Sequence, residues 1–240
     1  SIASLTQGNL TEAIIMTHGD GANTNYFESF VKLMRAAYAI DALALMEIAD
    51  ILASYDRENQ KNFLINSYDD RRELLKEAGV DALMEIDFDR DLSTMNPGDF
   101  IEQFILNANN VDVFFIGHDF AFGANKKGNH EFIREYCKSK DIEISKLEEF
   151  VTSDSNVSSS RIRRLLDEGN IKEANSLLGR DFFVCGRVIK GEGRGKQIGI
   201  PTANLSFDDD RKVPLKGVYN SQTVVGNQIW HSITNIGSNP

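Results

Sequence analysis

Short apolar runs alternate with stretches whose apolar residues recur at helical spacing through the first 150 residues, and this alternation constrains the fold of the 240-residue chain more than any other feature. Ala13-Ile14-Ile15-Met16 and Ala42-Leu43-Ala44-Leu45-Met46 read as buried strands. Between them Phe27, Phe30, Val31, Met34, Ala37 and Tyr38 mark one helical face. The pattern continues with a helix at 69–78, a strand at 82–86, a helix at 97–107, a strand at 111–117, a helix at 129–138 and a strand near 142–150. Pro97 suits a first helical turn, where its missing N–H costs nothing. Strands alternating with helices predict a Rossmann-like α/β domain: a parallel sheet covered on both faces, with ligands outside the carboxyl ends of its strands.

The period changes near Leu178-Gly179-Arg180-Asp181. Before it, Ser158-Ser159-Ser160 opens one helix and Asn170 caps the next. After it, residues 182–189, 198–205, 217–225 and 228–236 are β-rich and separated by turn residues such as Gly226-Asn227. The expected division is an α/β domain at 1–181 and a partial antiparallel β-barrel at 182–240.

Within the second region, Gly191-Glu192-Gly193-Arg194-Gly195-Lys196-Gln197-Ile198-Gly199-Ile200-Pro201-Thr202-Ala203-Asn204 is chemically the richest stretch. Glycines let backbone N–H groups converge on an anion, and Arg194 and Lys196 add charge. Thr202 and Asn204 lie two residues apart, so on an extended segment both face one side and can reach one hard cation such as Mg²⁺. A glycine-rich hairpin with a solvated basic tip is the other structure these residues build.

Two further segments attract notice. Gly117-His118-Asp119-Phe120-Ala121-Phe122-Gly123 sits where a strand ends, with aromatic rings to cover a ring system and Asp119 to meet a hydroxyl; equally, its phenylalanines can plug the core. Val157-Ser158-Ser159-Ser160-Arg161-Ile162-Arg163 places free N–H groups and a helix dipole beside two cations, an anion site unless the serines only cap and the arginines are solvated.

Taken together and in this order, these motifs, with Gly217-Val218-Tyr219 and Asn235-Ile236-Gly237, resemble the bacterial bifunctional riboflavin kinase/FMN adenylyltransferase (FAD synthetase) family over nearly the whole chain. The resemblance implies adenylyl transfer from ATP to FMN, giving FAD and pyrophosphate, in the first domain, and phosphorylation of riboflavin in the second. It implies nucleotide contacts at Asp20, Gly21, Ser158, Ser159, Ser160 and Arg161, and flavin contacts at Gly117, Asp119, Phe120 and Phe122. In the kinase module it implies phosphate contacts at Gly191, Gly193, Gly195, Lys196, Gly199 and Pro201, and Mg²⁺ ligation by Thr202 and Asn204.

Two departures from the family pattern shape the functional expectation. The family carries two histidines three residues apart after its Asp-Gly pair; here Asp20-Gly21 is followed by Asn23-Thr24-Asn25-Tyr26, and a further family histidine falls at about Ala49. The family's kinase module also runs on to a glutamate, whereas the sequence reaches Pro240. Beside the enzyme stand two alternatives: a catalytically impaired flavin- and nucleotide-binding homologue, and a fragment of an active enzyme. His18, His130 and His231 belong to no constellation, Asp208-Asp209-Asp210 reads as a solvated loop, and neither a zinc cluster nor a serine-histidine-acid arrangement is visible.

Composition narrows the partners. A formal net charge of -10 repels nucleic acid in bulk, so a nucleotide must be met by local cations. No segment reaches the ~18 apolar residues of a membrane span, and the two cysteines fit free thiols in a reducing cytoplasm, with one disulfide the lesser alternative. Small-molecule nucleotides and flavins are the expected partners, without nucleic acid or membrane; the oligomeric state is not legible.

Overall fold

A computed structural model describes residues 12–18, 42–49, 61–87, 90–107, 111–117, 120–146, 151–152, 155–191, 193, 195, 199–200 and 202–237. The expected helix between the first two strands lies outside them. Strands β1 (Glu12–His18), β2 (Ala42–Ala49), β3 (Ala82–Asp87), β4 (Val113–Ile116) and β5 (Glu143–Lys146) form one five-stranded sheet in the order β3-β2-β1-β4-β5. Every pairing is parallel. The apolar runs thus become the central strands, as an all-parallel sheet covered by helices requires. All four residues of β4, Val-Phe-Phe-Ile, are buried.

The strand order reverses between β1 and β4, where Met16 pairs with Ile116. That reversal is the topological switch point, beyond whose carboxyl end such sheets bind ligands. His18 closes β1.

The helices follow their sequence signals closely. α1 (Tyr68–Glu77) starts with a capping box: Ser67 Oγ accepts from the Asp70 N–H at 3.1 Å, and Asp70 accepts from the Ser67 N–H at 3.1 Å. A short α2 (Arg90–Thr94) leads to α3 (Pro97–Phe100), which has Asn96 as its N-cap, Pro97 in its first turn, and runs on as a π-helix (Ile101–Leu106). α4 (His130–Lys138) is capped by Asn129. α3, its π-helical continuation and α4 pack on the sheet through Phe100, Ile101, Ile105, Ile133 and Cys137. Burial pushes the Cys137 thiol up to about 12, and both cysteines are free.

A second core joins α5 (Ser159–Asp167) and α6 (Ile171–Leu178). Ile162, Leu165 and Leu166 meet Ala174, Leu177 and Leu178, with Ile65 and Phe182 against them. A two-residue ribbon of β6 (Val151–Thr152) and β7 (Ser155–Asn156) precedes α5.

Beyond it come two antiparallel ribbons, β8 (Arg187–Ile189) with β9 (Asn204–Ser206) and β10 (Gly217–Val225) with β11 (Gln228–Ile236), the latter turning at Gly226-Asn227. No helix among the described residues is long and apolar enough to cross a membrane.

Candidate functional site

At the sheet's carboxyl edge the chain turns directly after β4, the Phe120 N–H donating to the Gly117 carbonyl at 3.2 Å. The loop then closes on itself: Phe122 and Gly128 form a two-way bridge with N–H···O distances of 3.2 and 2.9 Å. Phe120 and Phe122 are 3% and 5% exposed, and Phe122 lies 5.0 Å from Phe100 ring to ring. Both rings are therefore built into the core beneath the switch point. Asp20, Gly21, His118 and Asp119 lie outside the described residues.

Gly128 and Gly123 make this loop possible. A Cβ at Gly128 would sit 2.8 Å from the Phe122 ring, while Gly123 adopts φ +69° with Pro97 2.9 Å from where a Cβ would stand. Because Phe122 is packed on all sides, it has little room to yield. Gly128→Ala is expected to lower the unfolding free energy by about 1–3 kcal/mol, measured by urea denaturation; an unchanged midpoint would show the loop to be loose.

The serine-arginine motif is held by α5. Ser158 is the N-cap, its hydroxyl accepting from the Arg161 N–H at 3.3 Å, so Ser159 and Ser160 occupy the first turn with the positive end of the helix dipole. Arg161 reaches to α6, one guanidinium nitrogen donating to Glu173 at 2.9 Å. Glu173 is itself held by the Asn170 amide at 2.9 Å. The other terminal nitrogen of Arg161 is buried and has no hydrogen-bond partner among the described residues. A buried donor without an acceptor is unfavourable, and an anion bound there would satisfy it.

Arg163 behaves differently. It stacks on Phe63 at 3.8 Å from the ring centroid and donates to the Phe63 carbonyl at 2.9 Å. Glu173 was missed by sequence reasoning: its spacing from Asn170 marks a helix start, but nothing local reveals that it faces Arg161.

In the second region the glycine loop lies against the two proposed metal ligands. A Cβ at Gly191 would fall 1.8 Å from Asn204 Nδ2. One at Gly195 would fall 2.2 Å from the Ile200 carbonyl oxygen and 3.0 Å from Thr202 Oγ1. Gly193 and Gly199 have φ of +73° and +78° with open space around them. Thr202 and Asn204 are exposed, Asn204 opening β9 opposite Ile189. Lys196 and Pro201 lie outside the described residues.

Thr202 and Asn204 supply two uncharged oxygens, too few for a hard cation by themselves. No cluster of three histidine, cysteine or acidic residues suited to a metal occurs among the described residues. The donor set fits a Mg²⁺ ion that arrives with its phosphate oxygens and waters.

The 208–210 turn is more than a solvated acidic loop. The Asp209 and Asp210 carbonyls accept from Asn62, Phe63 and Leu64 at 2.7–2.8 Å, and the next two residues, Arg211 and Lys212, are each 3% exposed.

Residues 50–161 match the FAD synthetase family and residues 178–240 match the riboflavin kinase family. The bifunctional riboflavin kinase/FMN adenylyltransferase of Bacillus subtilis is 32% identical over 77% of this chain and 58% of its own length. That of Escherichia coli K12 is 32% identical over 69% of this chain and 53% of its own. The fold also matches a crystal structure of a Streptococcus pneumoniae protein described as a macrolide-efflux protein, with a TM-score of 0.79 and 26% identity, covering 98% of this chain and 77% of that one. This chain belongs to the bifunctional riboflavin kinase/FMN adenylyltransferase family. It spans rather more than half the length of the two curated relatives.

Proposed function

We propose that the chain performs the flavin-nucleotide chemistry of its family, dividing at about residue 181 into an adenylyltransferase domain and a riboflavin kinase module, in the cytoplasm. In the first, ATP and FMN give FAD and pyrophosphate. The observation that carries this reading is Arg161, in the first turn of a serine-capped helix, one of whose guanidinium nitrogens is buried and has no hydrogen-bond partner among the described residues.

Adenylyl transfer asks little covalent help of a protein. An FMN phosphate oxygen attacks the α-phosphorus in line, and the bond to the leaving pyrophosphate breaks as charge accumulates on it. The first-turn N–H groups of α5 and the Arg161 guanidinium are suited to hold that charge, and Glu173 keeps the guanidinium from turning away. Asp20, Gly21, Gly117 and Asp119 follow β1 and β4 in sequence, consistent with a flavin and nucleotide cleft over the switch point. Phe120 and Phe122 support that cleft from beneath. In the kinase module, residues 191–199 would cradle phosphates, with Lys196 adding charge and Pro201 contributing to the phosphate site. Thr202 and Asn204 would hold Mg²⁺ there, which would neutralise phosphate charge.

Arg161→Ala is expected to weaken ATP binding by about 1–3 kcal/mol, the worth of a charge-assisted hydrogen bond in a partly buried site. Calorimetric titration with ATP and Mg²⁺ measures it, and unchanged affinity would make the motif purely structural. A second reading, a flavin- and nucleotide-binding homologue with little turnover, is favoured by Asn23-Thr24-Asn25-Tyr26 in place of the histidine pair. Rapid FAD formation by the unaltered chain decides against it.

A further inference from the structure

Residues 208–215 leave the kinase module and grip the first domain at points that converge on α5. Their backbone runs beside residues 62–64: the N–H groups of Asn62, Phe63 and Leu64 donate to Asp209 and Asp210, the Lys212 N–H donates back to Leu64 at 2.7 Å, and Leu64 and Arg211 form a parallel bridge. The Val213 N–H donates to the Asn62 side chain at 2.7 Å. Arg211 fills the junction. Its guanidinium meets Asp70 at 3.1 Å and donates to the carbonyls of Ile65 and of Phe183, the latter at 2.6 Å.

Three ties then reach α5 itself. Lys212, its side chain 4% exposed, extends Nζ to Asp167 at 2.6 Å, and the Leu215 N–H donates to the Leu166 carbonyl at 2.9 Å. The third tie passes through Phe63, whose backbone is bonded to the clamp while its ring and carbonyl hold Arg163. The nine-residue helix is about 13 Å long and behaves as a rod. Fixing its last turn and its Arg163 face also fixes where its first turn, residues 158–161, points.

We propose that residues 208–215 form a clamp by which the kinase module orients the nucleotide-binding end of α5, with Arg211 and Lys212 as positioning residues for the adenylyltransferase site. The proposal rests on the reading of residues 158–161 as a nucleotide site. It makes the two modules energetically linked: loosening the clamp degrades the first site without touching any residue that meets ATP. The reach of the effect is short, because one helix spans the distance and no relay of side chains is needed.

Hydrogen exchange on the full chain tests this with a signal local to α5. Lys212→Gln removes the ammonium from the buried side of the pair; Asp167→Asn removes the carboxylate charge from a side that is 56% exposed, and a melting curve on each variant separates loss of the tie from loss of the fold. Both variants are expected to raise amide exchange at residues 162–165 of the free protein by about three- to tenfold. Titrating ATP with Mg²⁺ while following exchange at 158–165 should give a midpoint raised by a similar factor, with Lys212→Arg restoring most of it. Unchanged exchange in both variants, even with a lowered melting temperature, would overturn the clamp. Absence of ATP-induced protection in the unaltered chain would instead defeat the nucleotide-site reading, while the free-protein exchange still decides the clamp.

Discussion

Arg211→Met is expected to destabilise the fold by about 3–5 kcal/mol, because it strands a carboxylate that the structure has taken out of water. The side chains of Arg211 and Asp70 are 3% and 7% exposed, at an N···O distance of 3.1 Å. Asp70 retains the Ser67 N–H as a donor, which places the loss toward the lower end of that range. The nearby Arg180 only partly substitutes. Its guanidinium already donates to Asn66 at 2.6 Å, and burial together with the Arg211 charge pulls it down to about 10. Two backbone carbonyls, of Ile65 and Phe183, also lose their donor. Urea denaturation measures the effect, and pairing the change with Asp70→Asn should recover part of it by removing the buried charge. A loss below about 1 kcal/mol would mean that water reaches the pair and that the junction is far looser than its burial implies.

The second large effect is catalytic. Asn23→His combined with Tyr26→His is expected to raise the rate of FAD formation by about 10²–10³ for each restored donor to the leaving pyrophosphate. Neutral asparagine still donates a hydrogen bond, but it cannot carry the imidazolium charge that matches a departing polyanion. Positions 23 and 26 follow β1 in sequence, and Ala49, near the family's further histidine, is the last residue of β2. Ala49 thus stands at the carboxyl end of the sheet beside β1, the edge at which such folds bind ligands. Pyrophosphate release from ATP and FMN, followed under single-turnover conditions, separates chemistry from product release. Brisk turnover by the unaltered chain would show that α5 and its arginine suffice without histidines.

The architecture of the first domain was largely written in local pattern. Apolar runs of strand length, helical spacing between them, and helix starts at Ser158 and Asn170 each restrict the backbone through nearest neighbours alone, and among the described residues strands and helices fall at or near those signals. The glycine loop was legible because only glycine permits so close an approach as those at Gly191 and Gly195.

What the tertiary structure decided is what each polar side chain faces. Glu173 lies twelve residues from Arg161 and Asp70 lies 141 from Arg211, so no local rule ties either pair; each exists because two elements pack at a particular angle. Phe120 and Phe122 carried a core-filling reading from their residues and a flavin-contact reading from the family resemblance, and their burial shows both rings packed in the core. The 208–210 acids illustrate the same division most plainly. Their side chains announce a solvated turn, yet their backbone carbonyls supply the acceptors that dock one module on the other. Backbone polarity is identical at every non-proline residue, so its long-range use leaves no mark in the sequence.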